Sequence, residues 1–496
     1  MEELPVPIQN FIGGEWVPAR SGRTARTVCP ADTRKIVAEA ALSSEADVAL
    51  AVERAIEARP AWARTPAPRR GAVLGRAAQL MIERREAIAR AMTLEEGKTL
   101  AESRGEVDKA IRVLEFNAAE GRRAVGEVIP SEIPGTFCYT TRAPIGIVAA
   151  ICPWNFPVCI PAWKIAPALL AGNAVIFKPA SLTPWTGALV TRVFADAGVP
   201  PGVLGMLTGP GGSLGRALVE QPEIAALSFT GSNEVGGKLY ADGARLGKKV
   251  QCEMGGKNAL VVLDDADVDL AARAAVQGAF GSTGQRCTAT SRAVVDRKVA
   301  ADFTRKVVEL ARAITVGDGL VDGVQMGPSV DGRQMETVLS GIARARADGA
   351  KLLCGGGRLD DPAHAHGFFV APTVFSGVRP EMALAQEELF GPVLAILEAG
   401  DDEEALAVAN STRYGLTASV YTRDLGRAQR FVEGLDAGMI HVNNPTVGGE
   451  AQLPFGGIKA TGVGAREMGR SAWEFYSEVR TVYIDTTGRP RTGNLY

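Results

Sequence analysis

Apolar and polar positions along the chain follow two kinds of repeat. After Ser44-Glu45-Ala46-Asp47, which has the residues of a capping box, Val48, Val52 and Ile56 recur at every fourth position. That spacing predicts an amphipathic helix near the N-terminus. From Ile145 to Glu253 the pattern changes to short apolar runs, "GIVAAI", "AVIFK", "VLGML", "AALSFT" and "KVQCE", separated by helix-like stretches. Five strands alternating with helices predict a parallel, doubly wound sheet covered on both faces. A second α/β series, "ALVVL", "AVVD", "VLAIL" and "ASVYT", runs from Ala259 to Thr422. Between Glu127 and Arg142, Pro130, Pro134 and "TFCYTTR" predict a projecting strand arm. Ligands of doubly wound sheets bind beyond the carboxyl ends of the strands, so the Gly-rich turns there are the first places to look for chemistry.

Length and charge narrow this picture. A chain of 496 residues is long for one core, which predicts two or three domains. Its 54 basic and 56 acidic side chains leave a net charge of −2. They form no long run of one sign, which argues against nucleic acid or an anionic membrane held by bulk charge. The opening "MEELPVPIQNFIGGEW" carries acids and has no apolar h-region, unlike a signal peptide. The most apolar segment, Pro157 to Phe177, contains Lys164 and two further prolines, which argues against a membrane span. Seven cysteines without a CxxC pair or zinc spacing predict reduced thiols and a cytoplasmic protein. His364 and His366, in "HAH", read as loop residues, and no metal site is expected.

The stretch "FGSTGQRCTATSR", Phe280 to Arg292, sets Cys287 among Gly, Ser and Thr, with Arg286 beside it. Small neighbours leave a thiol reachable, whereas Cys152, Cys159 and Cys252 lie in apolar runs. "GPGGSLG", Gly209 to Gly215, misses the G-x-G-x-x-G spacing. "FTGSNEVGG" instead ends a strand and opens a helix at Thr230-Gly231-Ser232, an arrangement that suits a pyrophosphate or a plain helix cap. Glu253, at the end of an apolar run in "CEMGGKN", is either a base with a raised pKa or a solvated carboxylate. Asn155, in "CPWNFP", either donates to an oxyanion or holds a turn.

Taken in order, "CPWNFP", "FKPAS", "FTGS", "EMGGKN", "GQRCT", "EELFGPV" and "LPFGGIKATG" resemble the motif series of the aldehyde dehydrogenase superfamily over nearly the whole chain. The resemblance implies an α/β, aldehyde-dehydrogenase-like fold. A Rossmann-type NAD(P)-binding domain would span 1–122 and 143–254, and an α/β catalytic domain 255–462. A small β oligomerisation arm with the C-terminal segment would take 123–142 and 463–496. Such arms expose strand edges, so a homodimer or homotetramer is expected.

The same resemblance implies the site. Cys287 is the expected nucleophile, with the oxyanion held by the Asn155 amide and the Cys287 backbone N–H. Glu253 resembles the base that activates water, and Lys164 and Glu467 match a proton relay. The cofactor, NAD or NADP, is expected on Ile151, Pro153, Trp154, Lys178 and Ser181 at one strand end. It continues over Gly211 and Gly215, over Phe229, Thr230, Gly231, Ser232 and Val235, and onto Gly255, Glu388 and Phe390. Phe156, Trp163, Arg286, Thr288 and Phe455 would line the aldehyde tunnel, and no metal is required.

The "GQRCT" form of the cysteine loop recurs among dehydrogenases of carboxylated semialdehydes. This implies a dicarboxylic semialdehyde, such as 2-oxoglutarate semialdehyde, with Arg286 as a carboxylate partner or as a structural loop residue. A broad aliphatic or aromatic aldehyde dehydrogenase is the alternative. A coenzyme A-acylating relative commonly lacks the carboxylate kept here at Glu253. A catalytically silent relative would carry lesions at Cys287, Asn155, Glu253 or Glu388. Ser181 stands where many NAD-preferring relatives have Glu. The missing charge, with Lys178 close by, implies that NADP is accepted at least as well as NAD, or that both are tolerated.

Overall fold

A computed structural model describes residues 3–123 and 126–490. The first sheet has eight strands in the spatial order Gly462–Val463, Lys249–Glu253, Ile224–Thr230, Ile147–Ile151, Ala174–Lys178, Leu204–Met206, Asn10–Ile12, Glu15–Val17. All five predicted apolar runs are its centre and pair in parallel. They are buried at nearly every position, because helices cover both faces. The antiparallel neighbour of Lys249–Glu253 is Gly462–Val463, which arrives from near the chain's C-terminus.

The second sheet has seven strands: Lys351–Cys354, Thr373–Ser376, Val393–Ala399, Thr290–Asp296, Asn258–Val262, Thr417–Tyr421, Met439–Val442. The four predicted runs are its middle, and only Lys351–Cys354 pairs antiparallel. The edge strands Lys351–Cys354 and Met439–Val442 and the inner strand Thr373–Ser376 escaped the sequence pattern because each has only four residues and mixes polar with apolar ones. Residues 254–257 lead directly from the carboxyl end of Lys249–Glu253 into the amino end of Asn258–Val262. The carboxyl ends of the first sheet therefore face the amino ends of the second, and the site lies between them. The expectation of carboxyl-end loops covers the first sheet alone.

The predicted N-terminal helix is Glu45–Arg64, with the Asp47 carboxylate accepting from the Ser44 N–H and Oγ at 2.7 Å each. Val48 and Val52 are buried as expected, but Ile56 is 42% exposed and Ala51 and Ala55 fill the core face. Each four-residue step overshoots a helical turn by about 40°, so a strict fourth-residue stripe drifts off the buried face. The apolar stretch from Pro157 becomes a fully buried helix, Cys159–Ala171, and the strand after it. Among the described residues no helix is long and apolar enough to cross a membrane. The arm strand Thr136–Pro144 pairs antiparallel with Ser477–Asp485 over its whole length, and Val128–Ile129 lies along its other edge. Ala124 and Val125 of the expected arm, and residues 491–496 of the expected C-terminal segment, lie outside the described residues.

Candidate active site

The turn that presents Cys287 is built from unusual backbone. After helix Val268–Phe280, Ser282, Thr283 and Gly284 have φ of 50°, 59° and 65°. Left-handed backbone is costly for the first two, above all for β-branched Thr283, and persists only where the surroundings enforce it. Here Glu102 Oε1 accepts from the Ser282 N–H at 2.6 Å, and Thr283 Oγ1 donates to the Gly327 carbonyl at 3.0 Å. At Gly284 a Cβ would meet the Gly391 carbonyl oxygen at 2.2 Å, so glycine is required. The buried Gln285 side chain accepts from the Val330 N–H at 2.9 Å. Cys287 emerges from this brace half-buried, its carbonyl accepting from Asn258 Nδ2 at 2.8 Å. Burial, then the nearby carboxylates Glu388 and Glu253, push its thiol up to about 12, with Lys109 pulling the other way.

Arg286 is engaged within the cysteine turn. Its guanidinium donates to Ser282 Oγ at 3.0 and 2.9 Å and lies 3.7 Å from Glu102. Of the two roles left open by the sequence, the geometry is that of a brace for the turn. Thr288 is buried, and its carbonyl accepts from Thr446 Oγ1 at 2.8 Å.

Asn155 is 3% exposed and donates one Nδ2–H to the Gln285 carbonyl at 3.0 Å, which ties it to the cysteine turn. The second N–H of that amide is left for another acceptor. Beneath it lies a buried ion pair that the sequence did not reveal. Lys98 Nζ donates to the Asn155 carbonyl at 2.5 Å and to Glu106 at 2.8 Å. The other Glu106 oxygen accepts from the Val158 and Cys159 N–H groups at 2.8 and 3.1 Å. The 155–159 turn is thereby clamped from both ends by helix Leu100–Glu120 and the residues just before it.

Glu253 is 3% exposed at the end of its strand, and accepts from the Gly457 N–H at 3.3 Å. A Cβ on Gly456 would meet its Oε1 at 2.2 Å, so that glycine leaves room for the carboxylate. Burial and the charge of Glu467 raise its pKa well above the usual carboxylate range. Lys164 and Glu467 form a fully buried ion pair, with Lys164 also donating to Ser228 Oγ at 2.9 Å. The second carboxylate oxygen of Glu467 has no partner among the described residues. Glu253 and the Lys164–Glu467 pair are thus buried within electrostatic reach of one another. Ser228, Gln251 and Tyr476 extend the hydrogen bonding from Lys164, and nothing in their local sequence marked them.

Most of the expected cofactor residues trace a path over the carboxyl ends of first-sheet strands and the helix starts that follow them. Ile151 and Lys178 are registered neighbours on adjacent strands. The Lys178 ammonium is buried with one protein partner, the Pro179 carbonyl at 3.2 Å, and burial lowers its pKa to about 8. A buried cation with two spare donors fits ribose hydroxyls or a phosphate. Ser181 Oγ, however, donates to the Gly209 carbonyl at 2.8 Å, so its proton is already engaged. Gly211 opens helix Gly211–Glu220, and a Cβ on Gly211 or Gly215 would meet nothing within 4 Å. Ser232 caps helix Asn233–Arg245 by accepting from the Val235 N–H, and the Val235 side chain is largely exposed. Gly231 lies against the Phe229 ring, where a Cβ would come within 2.5 Å, and the buried Thr230 Oγ1 has no partner among the described residues.

The path ends beside Cys287. Glu388 accepts from the Gly256 N–H at 3.0 Å, and its other oxygen lies against Gly255. Burial lifts its pKa to about 7. Phe390, with φ 54°, meets Trp154 edge-on at 5.4 Å, and Pro153 stands half-exposed next to Trp154. On the opposite side, the Trp163 and Phe455 rings lie 5.2 Å apart, and the Phe156 ring carries Lys98 at 4.3 Å. Among the described residues no cluster of three His, Cys, Asp or Glu side chains is arranged to hold a metal.

Comparison with known proteins agrees with this geometry. The chain is 43% identical to alpha-ketoglutaric semialdehyde dehydrogenase of Bacillus subtilis over 475 residues, covering 96% of this chain and 97% of the relative. It is 42% identical to 2,5-dioxopentanoate dehydrogenase of Saccharolobus solfataricus, covering 95% and 98%. The crystal structure of betaine aldehyde dehydrogenase from Staphylococcus aureus in complex with NAD+ superposes with a TM-score of 0.96 at 32% identity, covering 99% of this chain and 97% of that one. The profile of the Aldehyde dehydrogenase family matches residues 16–482, and the chain belongs to that family.

Proposed function

We propose that the protein oxidises the aldehyde group of 2-oxoglutarate semialdehyde to a carboxylate, using NAD or NADP and a thioester on Cys287. The observation that carries the chemistry is a half-buried thiol, braced by a strained turn, with a buried amide donor and a raised-pKa carboxylate around it. The substrate rests on two relatives above 40% identity that carry its name.

The Cys287 thiol gives up its proton to solvent, and the sulfur adds to the aldehyde carbon as the C=O π electrons move onto oxygen. The free Asn155 N–H and the Cys287 N–H meet the oxyanion. Each such donor is worth about 3–4 kcal/mol when it is aimed at the developing charge. The bound nicotinamide cofactor supplies a two-electron acceptor that turns this adduct into the thioester. Lys178 and the helix start at Ser232 hold the dinucleotide, and Glu388 and Phe390 orient its reactive end. Glu253, whose raised pKa makes it a stronger base than an ordinary carboxylate, takes a proton from the water that hydrolyses the thioester. Glu467 and Lys164 pass that proton on.

The aromatic walls Phe156, Trp163 and Phe455 favour a second reading, a plain medium-chain or aromatic aldehyde. A panel of aldehydes compared by kcat/KM, without coenzyme A, separates the two. A clear preference for the carboxylated substrate is expected. Equal rates on hexanal would sink the semialdehyde assignment, and absolute dependence on coenzyme A would sink the hydrolytic one.

For the cofactor, the remaining argument at Ser181 is the absence of negative charge, since its hydroxyl proton serves Gly209. Two like charges at ~4 Å and an effective dielectric of ~20 cost roughly 4 kcal/mol. Ser181→Glu should therefore raise KM for NADP at least about 100-fold and change that for NAD little. Rejection of NADP by the wild type would refute this.

The two sheets support a cofactor domain of 1–122 with 143–254 and a catalytic domain beginning at 255, although Gly462–Val463, at the boundary expected after 462, closes the cofactor sheet. The pairing of Thr136–Pro144 with Ser477–Asp485 supports an arm of 123–142 grouped with the C-terminal segment. Val128, Phe137, Val479 and Tyr483 leave this arm apolar and exposed, which supports a homodimer or homotetramer. Seven unpaired cysteines support a reducing compartment such as the cytoplasm.

A further inference from the structure

Lys109 projects from helix Leu100–Glu120 toward the two aromatic rings on the tunnel side. Its ammonium lies 5.2 Å from the Trp163 ring centre and 5.8 Å from that of Phe455. Contact with aromatic faces holds a cation in an apolar setting but uses none of its hydrogen-bond donors. Lys178, with its spare donors, and the buried Lys257 near Glu388 stand on the cofactor side, and the cations nearer the tunnel are committed. Lys98 is paired with Glu106, Lys164 with Glu467, Arg286 with Ser282 and Glu102, and Arg466 with the Gly457 carbonyl. Lys109 has neither a carboxylate nor a carbonyl partner among the described residues.

Two further features surround this ammonium. The Trp163 indole N–H, a donor only, is buried without a partner among the described residues. At Gly449 a Cβ would make ordinary contacts of 3.6 Å with both Lys109 Nζ and the Phe455 ring, so this residue borders the space in front of the ammonium. Trp163 and Phe455 belong to the apolar cluster against which Cys287 packs, and the Lys109 charge acts on that thiol. An anion in that space would satisfy two groups that the protein leaves unsatisfied.

We propose that Lys109 binds the far carboxylate of the substrate while the aldehyde meets Cys287, which makes it the specificity-determining residue of the tunnel. This rests on the semialdehyde reading. It gives Lys109 the part that the sequence left open for Arg286.

The test compares wild type, Lys109→Met and Lys109→Arg on 2-oxoglutarate semialdehyde and on pentanal. Lys109→Met should lose roughly 10- to 100-fold in kcat/KM on the semialdehyde, the range of one charge-assisted bond, and mainly through KM. Pentanal oxidation should be unchanged or improved, and Lys109→Arg should keep most of the preference. Equal losses on both aldehydes, or none on either, would overturn the role. A second measurement does not depend on the substrate. Inactivation by iodoacetate relative to iodoacetamide should be several-fold faster in wild type than in Lys109→Met. A wild type that prefers pentanal would refute the semialdehyde reading itself. The iodoacetate ratio then decides Lys109 alone, and a ratio unmoved by Lys109→Met removes it as an anion site.

Discussion

Cys287→Ala is expected to lower aldehyde-dependent NAD(P)H formation at least about 10,000-fold, as loss of a covalent nucleophile does elsewhere. No neighbouring group can replace the sulfur. Cys152, Cys159 and Cys252 are buried, and burial pushes their thiols up to about 12 without the access that Cys287 has. The braces at Glu102, Gly327 and Val330 act on Ser282, Thr283 and Gln285, so the turn should survive removal of the sulfur. Cofactor binding, followed by fluorescence titration, should therefore persist in the inactive variant. A variant that kept more than a few per cent of the wild-type rate would remove Cys287 from the reaction.

Glu253→Gln should separate the two halves of the cycle. The thioester can still form, so rapid mixing should show a burst of one NAD(P)H per site. The steady state should then fall about 100- to 10,000-fold, the usual contribution of a positioned base. In the wild type, hydrolysis needs the ionised carboxylate, whose pKa burial and Glu467 have raised. The steady-state rate should accordingly climb with pH through that raised pKa, since a protonated Glu253 cannot take a proton from water. Glu253→Gln should lose this climb. If the burst vanished along with the steady state, Glu253 would be acting on the thiol instead.

The central strands of both sheets were legible because burial on two faces writes itself as continuous apolar runs, as in "AVIFK" and "ALVVL". Short strands such as Met439–Val442, four half-buried or exposed residues with His441 among them, leave no such trace. At the site, motif order brought Cys287, Asn155 and Glu253 together. Their supports stayed invisible, because Lys98 and Asn155 stand 57 positions apart and Glu102 and Ser282 stand 180 apart. Arg286 illustrates the limit from the other side. Its place in the cysteine loop left it open as a carboxylate partner, but in a left-handed turn its guanidinium meets Ser282. Side-chain direction depends on backbone sign, which residue spacing does not encode.

The pairing of Lys249–Glu253 with Gly462–Val463 has a consequence for the order in which the enzyme becomes competent during synthesis. The thiol, the amide donor and the base all leave the ribosome well before Gly456, Gly457 and Glu467. Until those residues dock, Glu253 lacks the Gly457 N–H and the Glu467 charge that helps to raise its pKa. The Trp163 ring likewise lacks Phe455 against it. A nascent chain thus carries its nucleophile through most of translation without the machinery to turn over a captured aldehyde. Folding of the final segment is the step that arms the protein.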